Sequence, residues 1–349
     1  MPATIDILHA TDHQRWNAVL REAGADDVYF SPDYLRANEI ITGGRAECFV
    51  YRDGDGTILY PYLRRAIDAS DLSDITAAYG FGGYVASSPA PDAGAFTAAF
   101  RDYCHETRVV SEFIRYHPLY ENQCYPADAS LQITDHQPVV VAELHADGGD
   151  FRDRIAKEAR KKAHKAERNA VRVLVDEPWD YAEQFVELYG QRMREKEAAT
   201  FYHFPPAFFA TLRACLATRS ALLVALHEGR MIGGLLLLQG RAFGYNYLSC
   251  SDHRFTHLGT NDILQLRALE WAASRGLERH LLGGGVNGED SLFHFKAKFS
   301  PCRARFFVGR RVHLPEAYAE LCEERRKRLG SEPGEFLARS WFPLYRIGG

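Results

Sequence analysis

The chain has 349 residues, more than one hydrophobic core ordinarily supports, so two domains of roughly 150 to 180 residues are expected. Its 46% apolar and 25% charged residues exclude a chain disordered throughout, a collagen and a coiled-coil rod. The formal net charge of -4 excludes a protein that coats nucleic acid by global charge, although a local basic stripe remains compatible with a specific contact.

Taken in chain order, residues 47–52 and 57–63 read as two strands joined by the Gly-rich turn 53–56. An aromatic and glycine stretch at 79–84, a helix over 93–107 and a strand over 109–116 follow. Residues 150–170 then predict a helix, with Asp150 placed to cap it and Asp153 in its first turn. Between Arg152 and Arg172 lie nine Lys/Arg against Asp153, Glu158 and Glu167. Phe151 and Ile155 are its large apolar residues, which predicts a solvent-exposed connecting helix. The order of the first half then returns: a hairpin over 222–226 and 231–238, an aromatic strand from 243, a helix over 261–275 and a strand over 278–283. An internal repeat of about 170 residues implies two duplicated α/β domains with mixed sheets. The expected boundaries are 1–148, a basic connecting helix at 149–172, and 173–349. A second basic segment, 291–314, carries Lys296, Lys298, Arg303, Arg305, Arg310 and Arg311 with no carboxylate.

No apolar run approaches the roughly 20 residues of a membrane span, and the opening residues have no signal-peptide pattern, so a cytoplasmic protein is expected. Seven scattered cysteines without CxxC or zinc spacing indicate neither a disulfide framework nor a metal site.

The second half carries the candidate chemistry. Residues 245–249 read as a strand presenting Tyr245, Tyr247 and Ser249 on one face. The helix beginning near Asn261 can offer its amino end to an anion or simply be a capped helix. Three glycines, 283–285, close the next strand and permit either close approach or a bend. Lys296 follows among Phe293, Phe295 and Phe299, where an ammonium can serve a developing oxyanion. No Gly-x-Ser-x-Gly elbow, P-loop or dinucleotide fingerprint occurs, which removes the main support for hydrolase and kinase readings.

Together, the basic run into Val173, Leu188-Tyr189 with Arg192-Met193, the aromatic 201–204 segment, Tyr247-Leu248-Ser249, Leu258-Gly259-Thr260-Asn261 and the 283–296 loop with its Phe295-Lys296 resemble the FemABX family. The first half agrees through 79–83 and 113–119. The resemblance implies two tandem GNAT-like domains and transfer of an aminoacyl group from aminoacyl-tRNA to an amine of a peptide-like acceptor, an antibiotic or cell-wall precursor. It also implies that Lys296 stabilises the tetrahedral oxyanion. Substrate contacts are expected at Tyr79, Gly80, Arg115, Tyr189, Arg192, Tyr247, Ser249, Asn261, Gly284, Gly285 and Phe295. The tRNA contacts are expected at Lys161, Lys162, Lys165, Arg168, Arg303 and Arg305, with no cofactor and no metal. The segment 150–172 is too short for the long helical arm of some cell-wall members, so the chain is similar to the shorter form, such as the pacidamycin-type alanyltransferase. The rival is an acyl-CoA-dependent N-acyltransferase of the GNAT superfamily. In the stretch that would bind the CoA pyrophosphate, Thr256 replaces Arg/Gln and Asn261 replaces Gly/Ala. A non-enzymatic RNA-binding protein would explain the basic helix but not the glycine and Phe-Lys loop.

Overall fold

A computed structural model describes residues 3–54, 56–68, 70–88, 90–124, 128–145 and 149–348. Asp55 of the expected first turn and residue 148, the expected end of the first domain, lie outside the described residues. The first half of the chain forms β1 (Thr4–His9), α1 (His13–Glu22), α2 (Pro32–Thr42), β2 (Arg45–Asp53), β3 (Gly56–Ala66), β4 (Ser73–Thr76), β5 (Val85–Ala86), α3 (Ala93–Glu106), β6 (Val109–Arg115) and β7 (Gln132–Glu143). There follow α4 (Lys157–Arg168), β8 (Arg172–Asp176), α5 (Ala182–Glu195), α6 (Pro206–Cys215), β9 (Ser220–His227), β10 (Arg230–Gln239), β11 (Phe243–Ser251) and α7 (Thr260–Ser274). The chain closes with β12 (Arg279–Gly283), α8 (Ser291–Ala297), β13 (Arg303–Val312), α9 (Pro315–Leu329) and α10 (Pro333–Leu337).

These elements make two compact units, one of residues 1–25, 29–136 and 306–349, the other of 26–28 and 137–305. In the first, the strand order is β1-β2-β3-β4-β6-β13; in the second it is β8-β9-β10-β11-β12-β7. Each sequence of pairings is antiparallel except at one parallel pair, β4 with β6 and β11 with β12. A parallel pair needs a crossover, supplied by α3 and α7. The duplication is therefore one of strand order in a mixed α/β fold, and each unit takes its sixth strand from the other half of the sequence. One expectation is corrected. The counterpart of β11 is β4, not the 79–84 stretch, which is irregular apart from a bridge between Gly82 and Tyr116.

The apolar run 231–238 becomes the centre of the second unit's sheet. Residues 220–225 of β9 and 232–238 of β10 are buried continuously, as strands covered on both faces must be. Gly233 and Gly234 allow the covering helices to close in. A Cβ at Gly233 would lie 2.8 Å from Thr260 of α7, and one at Gly234 2.6 Å from Phe185 of α5. The first unit is instead packed with rings, Phe49, Tyr60, Phe96 and Phe100 among them, mostly edge to face. Part of the second basic segment lies inside it: Arg311 is buried against Glu112, 3.3 Å away, and Asp128. Burial alone would raise the Glu112 carboxyl; Arg311 and His313 hold it below the usual range.

Candidate active site

In the second unit, β11 and β12 pair only from Phe243↔Arg279 to Tyr245↔Leu281, and both strands continue beyond. They part there, and the opening lies at the carboxyl ends of two parallel strands, where α/β sheets place their ligands. The partner strand β10 pairs Leu236 with Leu248 but Leu237 with Asn246, leaving Tyr247 as an extra residue in a β-bulge. The bulge overturns the expectation that Tyr245, Tyr247 and Ser249 share a face. Cys250 Sγ approaches the Phe185 carbonyl of α5 at 3.9 Å, whereas Asn246 Nδ2 donates to Gln265 of α7 at 2.6 Å. In a regular strand positions 246 and 250 would point the same way. Tyr245 turns its hydroxyl to Asp27, 2.6 Å away, Tyr247 is buried and Ser249 is exposed.

Asn246 also meets His280 Nε2 at 2.8 Å, so a Gln265–Asn246–His280 chain spans α7, β11 and β12 just where the strands separate. Burial depresses the imidazole to about 3 and keeps it neutral.

The loop after β12 is built around Asp290. Its carboxylate accepts N–H bonds from Val286 (2.8 Å) and Asn287 (3.1 Å) in the loop and from Leu292 (2.9 Å) and Phe293 (3.0 Å) in the first turn of α8. These donors, Phe293 foremost, hold it below the usual carboxylate range. Gln137 of β7 clamps the same loop, donating to the Gly285 carbonyl and accepting from the Gly288 N–H. Gly284 and Gly285 thus meet protein on the side a Cβ would occupy, Gln137 at 2.8 Å and the Gly288 carbonyl at 2.2 Å respectively. Their role is the tight loop.

Lys296 projects from α8 under this loop, and its Nζ donates to the Gly284 carbonyl at 2.7 Å. Burial lowers the ammonium to about 8, with Asp290 opposing. Phe295 stacks edge-on with Phe299 beside it, and Phe293 is in the core. Sequence reading gave Gly283 and Asp290 no role of their own within the 283–296 loop and missed Gln137. Gly283 has φ +86 and a Cβ there would sit 3.2 Å from Nζ, so this glycine leaves room at the ammonium. The Asp-Ser pair before an apolar turn was the available signal for Asp290; nothing local marks Gln137.

The basic helix α4 is not a free-standing connector. Ala159, Ala163 and Ala166 are fully buried in the second unit's core, and these small residues allow close approach. A Cβ at Gly259, which precedes α7 with φ +88, would lie 2.6 Å from the Lys162 carbonyl. Lys165 Nζ donates to the His257 carbonyl at 3.1 Å, and the Ala156 N–H donates to the Lys298 carbonyl at 2.7 Å. Helix α4 therefore starts at the end of α8 and lies on the amino end of α7. Lys157, Lys161, Lys165 and Arg168, spaced four, four and three, line its outer side opposite the alanines. Lys162 pairs with Glu158 at 3.0 Å, and Lys298 reaches the same carboxylate at 3.1 Å. In the first turn of α7, Asn261 is exposed and Asp262 is buried, its Oδ1 without a hydrogen-bond partner among the described residues. Burial raises the Asp262 carboxyl against Lys162 and Lys298.

Residues 151–296 match the family model described as an acetyltransferase (GNAT) domain. Among solved structures, the chain is similar to the crystal structure of FemX, with TM-score 0.68 and 11% identity over 90% of this chain and 99% of that one. The chain shares the fold of FemX over most of its length. It is also similar to a tandem GNAT protein from the clavulanic acid biosynthesis pathway (TM-score 0.52, 11% identity, 88% of this chain and 98% of that one). A third likeness is to the C-terminal domain of a putative lysylphosphatidylglycerol synthetase from Agrobacterium fabrum (TM-score 0.52, 15% identity, 84% and 92%). No curated protein matches by sequence. The GNAT domain places residues 151–296 in the acyltransferase superfamily, and no helix among the described residues is long and apolar enough to cross a membrane.

In this FemX-like fold the remaining expected contacts fall in separate places. Tyr79, Gly80 and Arg115 belong to the first unit, where Arg115 Nε donates to the Gly80 carbonyl at 2.7 Å, its guanidinium lies over Phe306, and Tyr79 N–H meets Asn38. Gly80 has φ +95, and Tyr29 would be 2.5 Å from a Cβ, so it serves a bend. On α5, Tyr189 is buried with its hydroxyl on the Tyr202 carbonyl, and Arg192 pairs with Glu195, which also faces His253 at 3.4 Å. Arg303 donates to the carbonyls of Ser300 and Cys302 and stacks on Phe293 of α8. Arg305 is exposed.

Proposed function

We propose that the chain is an aminoacyl-tRNA-dependent aminoacyltransferase that forms an amide bond between a tRNA-borne amino acid and an amino group of a peptide-like acceptor. The observation that supports a tRNA donor is the seat of α4. Its backbone is bonded to Lys298, two residues from Lys296, and its outer row of Lys157, Lys161, Lys165 and Arg168 leads away from the candidate oxyanion donor. Such a row suits a phosphate backbone. The same helix covers the amino end of α7, and buried Asp262 sits in its first turn. A pyrophosphate arriving at that helix end would meet Asp262 where an open turn would offer free N–H groups.

In this reading the acceptor amine attacks the ester carbonyl of the aminoacyl-tRNA. The Lys296 ammonium, already oriented by Gly284, donates to the oxyanion of the tetrahedral intermediate; one proton of the attacking amine passes to the ribose oxygen, and the intermediate collapses with cleavage of the ester C–O bond and departure of the tRNA ribose hydroxyl. The ester is already activated, so positioning and one oxyanion donor suffice, and no nucleophilic residue of the protein is required. A tRNA donor and an antibiotic or cell-wall precursor as acceptor place the reaction in the cytoplasm. The test is incubation with total charged tRNA or with acetyl-CoA, each with candidate amines and scored by mass. Product with charged tRNA that disappears after ribonuclease is expected; product from acetyl-CoA alone would establish the acyl-CoA rival.

A further inference from the structure

Around the carboxyl end of α7, a cavity of about 390 Å³ is lined by Asp26, Thr218, Arg219, Gln239, Arg241 and Arg275, with Gly240 and Leu277 completing the wall. Its size falls within the range of roughly 300 to 1,000 Å³ typical of small-ligand sites. The 15 residues of α7 separate it from the α4 contact, about 22 Å at the helical rise, so whatever it holds is not the reacting group.

The wall is fixed by packing. Gly240 leaves no room for a Cβ, which would lie 1.9 Å from Asp27, and the Arg241 N–H donates to the Asp26 carbonyl at 3.1 Å. Segment 26–28 thereby straps down the turn that carries Arg241. Arg219 pairs with Asp26 and Arg275 with Glu177, whereas Arg241 is exposed and has no side-chain ion pair among the described residues. Of the three guanidiniums, Arg241 is therefore the one left without a carboxylate partner among the described residues. Two buried atoms of the lining lack hydrogen-bond partners among the described residues: Nη1 of Arg219, a donor, and Oε1 of Gln239, an acceptor. Buried polar atoms are ordinarily satisfied, and these two call for a ligand that carries both an anionic oxygen and a hydroxyl or amine.

We propose that this cavity binds a phosphate group borne on a hydroxylated ligand, the phosphate held by Arg219 and Arg241 and the hydroxyl donating to Gln239. A nucleotide unit of RNA and a free phosphorylated metabolite share that chemistry. The experiment is calorimetric titration of the full chain with inorganic phosphate and with adenosine 5′-monophosphate at constant ionic strength, chloride serving as the control. Saturable binding of one equivalent is expected, tighter for the nucleotide, weakened at least tenfold in Arg241→Gln and in Arg219→Gln, and unchanged in Arg21→Gln, an exposed position on α1 of the first unit. Arg241 has no side-chain ion pair to lose among the described residues, so Arg241→Gln keeps the fold even where Arg219→Gln does not. Displacement of the nucleotide by uncharged tRNA would assign the site to RNA; its persistence would assign it to a free metabolite. No saturable binding in the millimolar range, or binding unaltered in Arg241→Gln, overturns the proposal and leaves the transferase reading untouched.

Discussion

Lys296 Nζ donates to the carbonyl of Gly284 at 2.7 Å, which couples a depressed, buried ammonium to the loop that follows β12. Lys296→Met retains most of the aliphatic stem and removes the charge. The rate of aminoacyl transfer should fall by about 10² to 10³, as for loss of one oxyanion donor. Single-turnover assays with both substrates saturating check this, and a variant that binds normally and keeps near-full kcat would remove Lys296 from the chemistry.

The same substitution should stabilise the protein. Lowering the ammonium from 10.5 to about 8 on folding corresponds to about 3 kcal/mol at pH 7, and the bond lost at the Gly284 carbonyl gives back about 1 kcal/mol. A net gain of about 2 kcal/mol in urea unfolding is expected. Both folded and unfolded chains are charged below pH 8, so the cost is full there. Between about 8 and 10.5 the unfolded chain binds the extra proton, wild-type stability rises, and the advantage of Lys296→Met should shrink.

The pH profile carries the role of the lysine. At pH 7 roughly nine-tenths of Lys296 is protonated, given a value of about 8. If the ammonium is the oxyanion donor, kcat should decline as pH rises through about 8, and Lys296→Met should lack that limb. A wild-type kcat that instead climbs through pH 8 would make the neutral amine a base.

Replacing Lys161 and Arg168 with Ala should weaken tRNA binding and reduce its salt slope by about one for each lost phosphate contact. Both side chains are exposed and neither is ion-paired among the described residues, so thermal stability should hardly change. Filter binding across a salt series reads the slope; an unaltered slope would leave α4 a solvated surface.

Gly259→Ala should destabilise the second unit by at least about 2 kcal/mol, because φ +88 is strained for alanine and the new Cβ would meet the Lys162 carbonyl at 2.6 Å. Backbone cannot swing aside as a flexible side chain can. Denaturant unfolding gives the cost. Weakened tRNA affinity in the same variant is expected, since α4 must shift to admit the methyl group.

The hairpin and helix periods at 47–63, 93–116, 222–238 and 261–283 were legible in the sequence because apolar spacing and Gly-rich turns are local properties. The sequence also shows Lys296 set among three phenylalanines, two of which, Phe293 and Phe299, join the second unit's core. Local pattern alone determined that there are two similar α/β halves, that the second carries a glycine loop and a lysine, and that a basic helix lies within 150–170. It could not determine which strand closes each sheet. The pairing of β6 with β13 and of β12 with β7 is a hydrogen-bonding choice between segments far apart in the chain. Nor could it place Tyr247 in a bulge, since a bulge exists only relative to the partner strand β10. The alanines of α4 looked too small to bury a helix, yet their smallness is what lets Lys162 touch Gly259 and brings Ala156 to Lys298, 142 positions away. Tertiary packing decided these contacts, because close approach of two backbones depends on what each lacks, and a sequence read one segment at a time does not show where two absences meet.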